Sequence, residues 1–102
     1  MREPIERLRK KVQRENLWIF IFHLLNKKER AVNEIRELVR KEYGFLTGNV
    51  TAYKVLFLLE RGGYVKSYYQ RNKKFYRITE KGRKQLKKAV KFFEATSKGL
   101  KR

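Results

Sequence analysis

The segment VKSYYQRNKKFYRITEKG, residues 65–82, alternates aromatic and basic side chains and then runs into a signal for the start of a helix. The runs YVKSYY and KFYRI are rich in residues that favour β-strands, and polar residues separate them. This pattern predicts a β-hairpin. Thr79 follows the second strand as a candidate N-cap, and Glu80 would lie at the positive end of the helix that begins there.

The two faces of the hairpin follow from its alternation, because side chains that face the core must lie on one face. The core-facing set is predicted to be Val65, Ser67, Tyr69, Tyr76 and Ile78. The opposite face would carry Lys66, Tyr68, Gln70, Phe75 and Arg77. We expect residue 69 to lie opposite 76, and therefore 67 opposite 78. The loop must then have an even number of residues, for example 72–73 alone or 71–74.

Helical patterns precede the hairpin. Residues 4–26 form the first, and Asn16 could cap a second segment within it. The next pattern, RAVNEIRELVRKEYG (residues 30–44), places apolar residues on one stripe and ends at Gly44. Its stripe consists of Val32, Ile35, Leu38 and Val39.

Thr47 or Asn49 can cap the following helix, which ends at the pair Gly62-Gly63. Its apolar residues are Val50, Tyr53, Leu56, Phe57 and Leu59. The order helix, helix, helix, hairpin, helix predicts an α+β, mostly helical fold, the winged helix-turn-helix. With 102 residues, we expect residues 1–102 to form a single DNA-binding domain.

The final helix, expected over residues 80–98, repeats Leu86, Val90 and Phe93 at helical spacing. Such a seam could meet a partner helix, so these residues are candidates for dimerisation. The segment TSKG, residues 96–99, is expected to fray. Trp18 joins the candidates because residues 17–25 are apolar almost all round, which suggests burial on two sides, one of them by a partner subunit.

Two segments resemble the PadR family of winged-helix transcription regulators. The family's third helix carries G-T-x-Y-P-x-L-x-x-L-E-x-x-G-L-I/V, and VTAYKVLFLLERGGYV (residues 50–65) matches it except at Val50, Lys54 and Tyr64. KFYRITEKG (residues 74–82) is similar to the family's K-Y-Y-x-I/L-T-x-x-G. The resemblance spans about residues 15–95. It implies a homodimer on palindromic DNA, with the C-terminal helix in the dimer. Many members respond to small ligands, but no residue pattern identifies one here.

Charge is the outlying property of the composition. The chain has 28 Lys and Arg against 10 acidic residues, all Glu, for a net charge of +18. Residues 71–102 hold 13 cations and two Glu, so the charge is concentrated in the wing and final helix. A charge of this size promotes binding to polyanions, of which double-stranded DNA is the first candidate. An anionic membrane surface is the second.

The residue inventory argues against several other classes of protein. There is no Cys and only one His, His23, so disulfides are excluded and we expect no metal site or cofactor. No nucleophile–base pairing or phosphate-binding Gly motif indicates an enzyme. No apolar run is long enough to span a membrane, and no signal peptide is recognisable. We expect a cytoplasmic protein associated with the nucleoid.

Two sets of residues are candidates for DNA contact. The start of the third helix would reach base edges in the major groove, with Asn suited to adenine and Lys to guanine. Its candidates are Thr47, Asn49, Thr51, Tyr53 and Lys54. The wing would follow the phosphate backbone or enter the minor groove. Its candidates are Lys66, Tyr68, Arg71, Asn72, Lys73, Lys74 and Arg77.

Purely structural roles remain possible for several of these residues. Thr47 and Asn49 could only cap, the tip cations could be a solvated turn, and Arg77 could stack on a ring. The leading hypothesis is a homodimeric, sequence-specific transcription regulator. The alternatives are a non-specific, chromatin-like DNA-binding protein and, third, a winged-helix module that binds other proteins.

Overall fold

The computed structural model of the chain describes residues 3–102. Its helices are α1 (Pro4–Gln13), α2 (Leu17–Lys27), α3 (Val32–Tyr43), α4 (Asn49–Arg61) and α5 (Glu80–Leu100). Its strands are β1 (Arg30–Ala31), β2 (Val65–Gln70) and β3 (Lys73–Ile78), in one antiparallel sheet of order β1-β3-β2. The winged helix-turn-helix prediction is confirmed. The two-residue strand β1 was not expected.

The first helical pattern is divided near Asn16, as its sequence allowed. The Asn16 amide donates a hydrogen bond to the carbonyl oxygen of Lys11 at 2.9 Å, and its oxygen accepts from the Trp18 indole N–H at 3.3 Å. Asn16 stands at the N-cap position of α2, but its side chain makes no capping bond to the helix. Its bonds instead tie the end of α1 to the start of α2.

Helix α2 lies at the centre of the core and contacts every other helix as well as β3. Five of its residues are buried: Leu17, Ile21, Phe22, Leu24 and Leu25. The predicted α3 stripe packs against it, with Val32, Ile35 and Val39 buried and Leu38 half-buried. The chain itself therefore covers most of the apolar circumference of α2, which had suggested a partner subunit.

The turn between α3 and α4 forms the helix-turn-helix. Gly44 ends α3 with φ +74°, a left-handed conformation that glycine adopts without steric cost. The expectation that Thr47 or Asn49 caps α4 is wrong, because Gly48 occupies the N-cap position. Asn49 is already helical, and its side-chain oxygen accepts a hydrogen bond from Arg36 at 3.5 Å instead.

The hairpin has the expected faces and an even loop, but its register differs by two residues. Ser67 pairs with Tyr76, and Val65 pairs with Ile78. The loop is Arg71-Asn72, with φ of +51° and +63°. Positive φ at both positions fits the type I′ turn, whose twist matches that of the flanking strands.

The register difference changes the environment of Tyr69. This residue was expected to be buried opposite Tyr76, but it pairs with Lys74 near the tip and is 72% exposed. Tyr76 and Ile78 are buried as expected, at 2% and 4% exposure. The core therefore ends at the Ser67–Tyr76 pair, and the rest of the hairpin projects beyond it.

The start of α5 is tied to the end of α4. Thr79 is the N-cap, as predicted, and its hydroxyl accepts from the Gly82 N–H at 3.2 Å. The same hydroxyl lies 2.7 Å from the Gly63 carbonyl oxygen, to which it donates. The Thr79 N–H donates to the Tyr64 carbonyl at 3.0 Å. We call this set of contacts the Thr79 junction.

Helix α5 continues to Leu100, so the prediction that residues 96–99 fray is wrong. Glu94, Ala95 and Lys98, next to or within this segment, are good helix formers, and the helix continues through Gly99. Its inner side packs on α2 through the buried Ala89 and half-buried Leu86. Within residues 3–102, no helix has the length and apolar character needed to cross a membrane.

The Thr79 junction yields a test of stability. A Cβ on Gly82 would lie 2.4 Å from the Tyr64 carbonyl oxygen and 2.7 Å from Ile78 Cγ1, so Gly82→Ala forces backbone to move. We expect it to lower the free energy of unfolding by about 1–3 kcal/mol. Urea unfolding at fixed protein concentration measures this.

Gly99→Ala is the matched control, since no atom lies within 4 Å of a Cβ there. It should leave stability unchanged or raise it slightly, because alanine is the better helix former. Equal effects of the two substitutions would contradict the packing role of Gly82.

Candidate nucleic-acid interface

One side of α4 faces solvent along its whole length. Residues 50, 54, 57 and 61 recur at intervals of four, three and four, so they form one ridge on the helix surface. Ala52 and Leu56 lie on the other side, each 0% exposed. We call this set (Val50, Lys54, Phe57 and Arg61) the outward ridge.

Two apolar residues of the outward ridge lie outside the core. Val50 is 82% exposed and Phe57 59% exposed, although the sequence analysis placed both among the apolar residues of this helix together with Leu56. The buried stripe of α4 instead runs through Ala52 and Leu56, with Val55 and Leu59 half-buried beside them. Alanine was a weak signal for the centre of a buried face, which is why the stripe was misplaced.

The candidate residues at the start of α4 are mostly accessible. Asn49, Thr51, Tyr53 and Lys54 are all exposed. Thr47 differs, because its hydroxyl oxygen is buried and has no hydrogen-bond partner in the part of the chain that the structure describes. Four of the five candidates are therefore brought together on the solvent side of one helix end.

Arg36, on α3, contributes to the site but is not among the residues predicted from the sequence. Its Nε donates to the Thr47 carbonyl oxygen at 3.1 Å, and its Nη1 lies 3.5 Å from the Asn49 side-chain oxygen. It thereby fixes the turn that leads into α4 and orients one candidate side chain. No local pattern distinguishes this arginine from the others, since its partners lie 11 and 13 residues away.

One face of the wing combines stacked rings with cations. The Tyr68 and Phe75 rings stack at 5.7 Å between centroids and 18° between planes. The Lys73 ammonium lies 5.8 Å from the Phe75 centroid. The nearby Glu29 carboxylate raises the pKa of the Tyr68 phenol. Lys66 and Arg77, paired across the strands, are exposed on this face.

The other face of the wing joins it to α4. The Ser67 hydroxyl donates a hydrogen bond to the Glu60 carboxylate. Lys74 lies close by, with its ammonium 5.4 Å from the Tyr76 ring. Burial raises the pKa of Tyr76, and the nearby Lys74 opposes that rise. Lys74, which pairs with Tyr69 across the strands, thus lies on the core-facing side of the wing, two residues after the Arg71-Asn72 turn.

Ion pairing leaves the outward ridge and the wing uncompensated. Within residues 3–102, four ion pairs form: Lys11–Glu15, Arg30–Glu34, Arg40–Glu37 and Arg83–Glu80. None of them includes a cation of α4, β2, β3 or the loop between the strands. The candidate cations thus keep their charge available for an external anion.

A family model supplies the identification. The model of the transcriptional regulator PadR-like family matches residues 21–88, two thirds of the chain. The chain belongs to the PadR-like family. Members are transcription regulators, so the protein is a DNA-binding regulator rather than an enzyme, as the residue inventory indicated. Among curated proteins, the search found no match.

Solved structures agree with this assignment. A transcriptional regulator from Clostridium thermocellum is 30% identical, with a TM-score of 0.78 over 88% of this chain and 94% of that one. A PadR family transcription regulator from Clostridium difficile is 28% identical, with a TM-score of 0.76 over 82% and 93%. A Bacillus subtilis PadR, solved in complex with operator DNA, is 25% identical, with a TM-score of 0.64 over 72% and 45%.

Several residues that match the family patterns form contacts that stabilise the fold of this chain. Glu60 accepts from Ser67 and so holds β2 against α4. Thr79 and Gly82 form the Thr79 junction with Gly63. These PadR-like positions therefore set the angle between the wing and the helix, whereas Val50 and Lys54, where this chain departs from the pattern, lie on the outward ridge.

The dimerisation candidates lie on α5 and at the start of α2. A cleft of about 370 Å³ between α2 and α5 is lined by Val12, Trp18, Ile19, Ala89, Phe92 and Phe93, among others. Val90 is 48%, Phe92 66% and Phe93 40% exposed, while Leu86 is half-buried. Three of the predicted residues thus belong to one apolar surface of α5, and Trp18 lies at its edge.

His23 packs beside an aromatic ring, 6.2 Å from Tyr43 between centroids. Its side chain is half-buried at the edge of the core. Over the described residues, no group of three or more metal-binding side chains is present.

The contact between Glu60 and Ser67 can be measured by a double-mutant cycle with Glu60→Gln and Ser67→Ala. We expect a coupling free energy of about 1.5–3 kcal/mol, since the acceptor is charged and the pair is half-buried. Urea unfolding of the four proteins gives the value.

The exposed pair Glu80–Arg83 serves as the comparison cycle. It should give less than about 1 kcal/mol, as exposed ion pairs do. A Glu60–Ser67 coupling no larger than this one would contradict the proposed link between α4 and the wing.

Proposed function

We propose that this PadR-like protein is a sequence-specific transcription regulator that binds double-stranded DNA as a homodimer. The start of α4 would lie in the major groove, and the wing would contact the phosphate backbone or the minor groove. The whole chain would act as one winged-helix unit, with α5 contributing to the dimer.

The observation that carries this proposal is the unpaired basic surface formed by α4 and the wing. Five of its cations are exposed, lie on neighbouring elements, and form none of the ion pairs found within residues 3–102: Lys54, Lys66, Arg71, Lys73 and Arg77. Cations on two elements in contact suit an anion that extends over both, as a nucleic-acid backbone does. A Bacillus subtilis PadR, 25% identical to this chain, was solved in complex with operator DNA, which supports DNA as the partner.

Selection of bound duplexes from a random pool at moderate salt tests the function directly. A palindrome with half-sites about one helical turn apart, roughly 34 Å, is the expected result. Random duplex that competes as well as any selected site would favour a non-specific architectural protein instead. Undetectable affinity for duplex at low salt would favour a protein-interaction module.

The wing cations should contribute through phosphate contact. For the wild-type protein we expect log K to fall with log salt at a slope of roughly −5 to −9, corresponding to six to ten neutralised phosphates. Arg71→Ala and Lys73→Ala should each reduce the slope by about 1 and weaken selected and random duplexes equally. Fluorescence anisotropy over a salt series measures both effects.

Lys11→Ala is the matched control for these variants. It removes the same unit charge, but Lys11 lies on α1 and pairs with Glu15 at 2.8 Å. It should leave the slope almost unchanged. If Lys11→Ala reduces the slope as much as Arg71→Ala, total charge rather than the wing determines the affinity.

The proposed dimer is supported by the apolar surface on α5. Val90 and Phe93, three residues apart on α5, are 48% and 40% exposed, and the exposed Phe92 lines the cleft beside Phe93. Contiguous exposed apolar residues of this kind are typical of protein–protein contact. A second copy would cover the surface and set the distance between two α4 helices.

Val90→Glu combined with Phe93→Glu should therefore convert the protein to monomer, because carboxylates would have to be buried in the contact. Sedimentation velocity over a concentration series measures this. Leu46→Glu, a change at a residue 73% exposed before α4, should leave the dimer intact. A wild-type monomer at high concentration would contradict the proposed assembly.

A further inference from the structure

The reading end of α4 presents an apolar side chain to solvent. Val50, in the first turn, is the most exposed large apolar residue in the described part of the chain, at 82%. A single exposed valine is ordinary on a protein surface. This one is different because it shares the outward ridge with Lys54 and has the exposed, polar Asn49 and Thr51 on either side.

Packing within the chain does not account for Val50. The buried side of α4 is formed by Ala52 and Leu56, and Val50 lies on the opposite side of the helix. Removing its two methyl groups would therefore cost the fold little. Its role is better sought in what the outward ridge touches.

The surroundings of Val50 favour an anionic partner with an apolar group on it. The first turn of α4 holds no acidic residue, so the positive end of the helix is not neutralised by its own side chains. Lys54 follows one turn later on the ridge, and the wing adds Arg71 and Lys73. An apolar protein surface would leave these charges unpaired, whereas the DNA major groove pairs them with phosphates and base acceptors.

The major groove displays one apolar group among its base edges, the C5-methyl group of thymine. We propose that Val50 reads the C5-methyl group of a thymine in each DNA half-site and is a specificity-determining residue. The inference rests on the proposed function and extends it by naming the base. Lys54 and Asn49 supply the neighbouring polar contacts, and Arg36 holds the Asn49 oxygen so that its amide N–H groups are directed elsewhere.

Replacing thymine with deoxyuridine in the selected duplex tests this. The exchange removes the methyl group and keeps both the pairing and the O4 acceptor. Loss of one buried methyl should weaken wild-type binding about fourfold at one half-site and about sixteenfold at both. Each thymine of the half-site is exchanged in turn, and affinity is measured at constant salt.

Val50→Ala identifies the residue that reads the methyl group. The substitution places a good helix former at an exposed position, so the fold is retained. The variant should bind the thymine duplex more weakly and distinguish thymine from deoxyuridine by less than about twofold. Leu58→Ala, at a residue 52% exposed but off the ridge, is the control and should keep the wild-type difference.

The possible outcomes distinguish failure of the thymine proposal from failure of the proposed regulator function. Wild-type protein that binds every deoxyuridine duplex as tightly as the thymine duplex overturns the thymine proposal, while a selected palindrome leaves the regulator function standing. A Val50→Ala variant that keeps the full thymine preference also overturns the assignment to Val50. If no consensus DNA sequence emerges from the pool, the protein does not bind DNA sequence-specifically, and the thymine proposal fails as well.

Discussion

The placement of the whole basic surface depends on the hydrogen bonds that Thr79 makes to the end of α4. Through one side chain and its own N–H, Thr79 contacts Gly63, Tyr64 and Gly82. Three elements meet there: the end of α4, the end of the wing and the start of α5. Since backbone groups accept or donate most of these bonds, side-chain substitutions elsewhere do not remove them. The wing is thereby held at a defined angle to the outward ridge.

The same junction relates the basic surface to the α5 surface. Gly82 lets the first turn of α5 approach the Tyr64 carbonyl more closely than any side chain would allow. From that point α5 runs along α2 and carries Val90 and Phe93 away from the wing. A rigid helix of 21 residues spans about 30 Å, so a small rotation at its start would displace its far end by several ångströms. The geometry of a dimer on DNA is therefore sensitive to one glycine.

Much of this architecture could be predicted from local signals. Thr79, Gly44 and the apolar stripe of α3 lie where capping, stop and periodicity rules place them. The misplaced features depend on contacts that are distant in sequence. The turn forms at Arg71-Asn72, and the resulting register exposes Tyr69. This was not predicted because local alternation fixes which face of a strand a residue lies on, but not which residue it pairs with. Arg36 was missed for the same reason, and the centre of the buried side of α4 is an alanine, which carries little apolar signal.

Charge distribution explains how a chain of net charge +18 remains folded with a basic surface intact. The ten Glu are few, and those in ion pairs are Glu15 between α1 and α2, Glu34 and Glu37 on α3, and Glu80 at the start of α5. Glu60, beneath the wing, is hydrogen-bonded to Ser67 and serves the fold. The remaining cations repel one another over a Debye length of about 10 Å at 0.1 M salt. This repulsion destabilises the free protein, and an anionic polymer along the surface relieves it. The same cations therefore lower the free energy of unfolding of the free protein and raise its affinity for an anionic polymer.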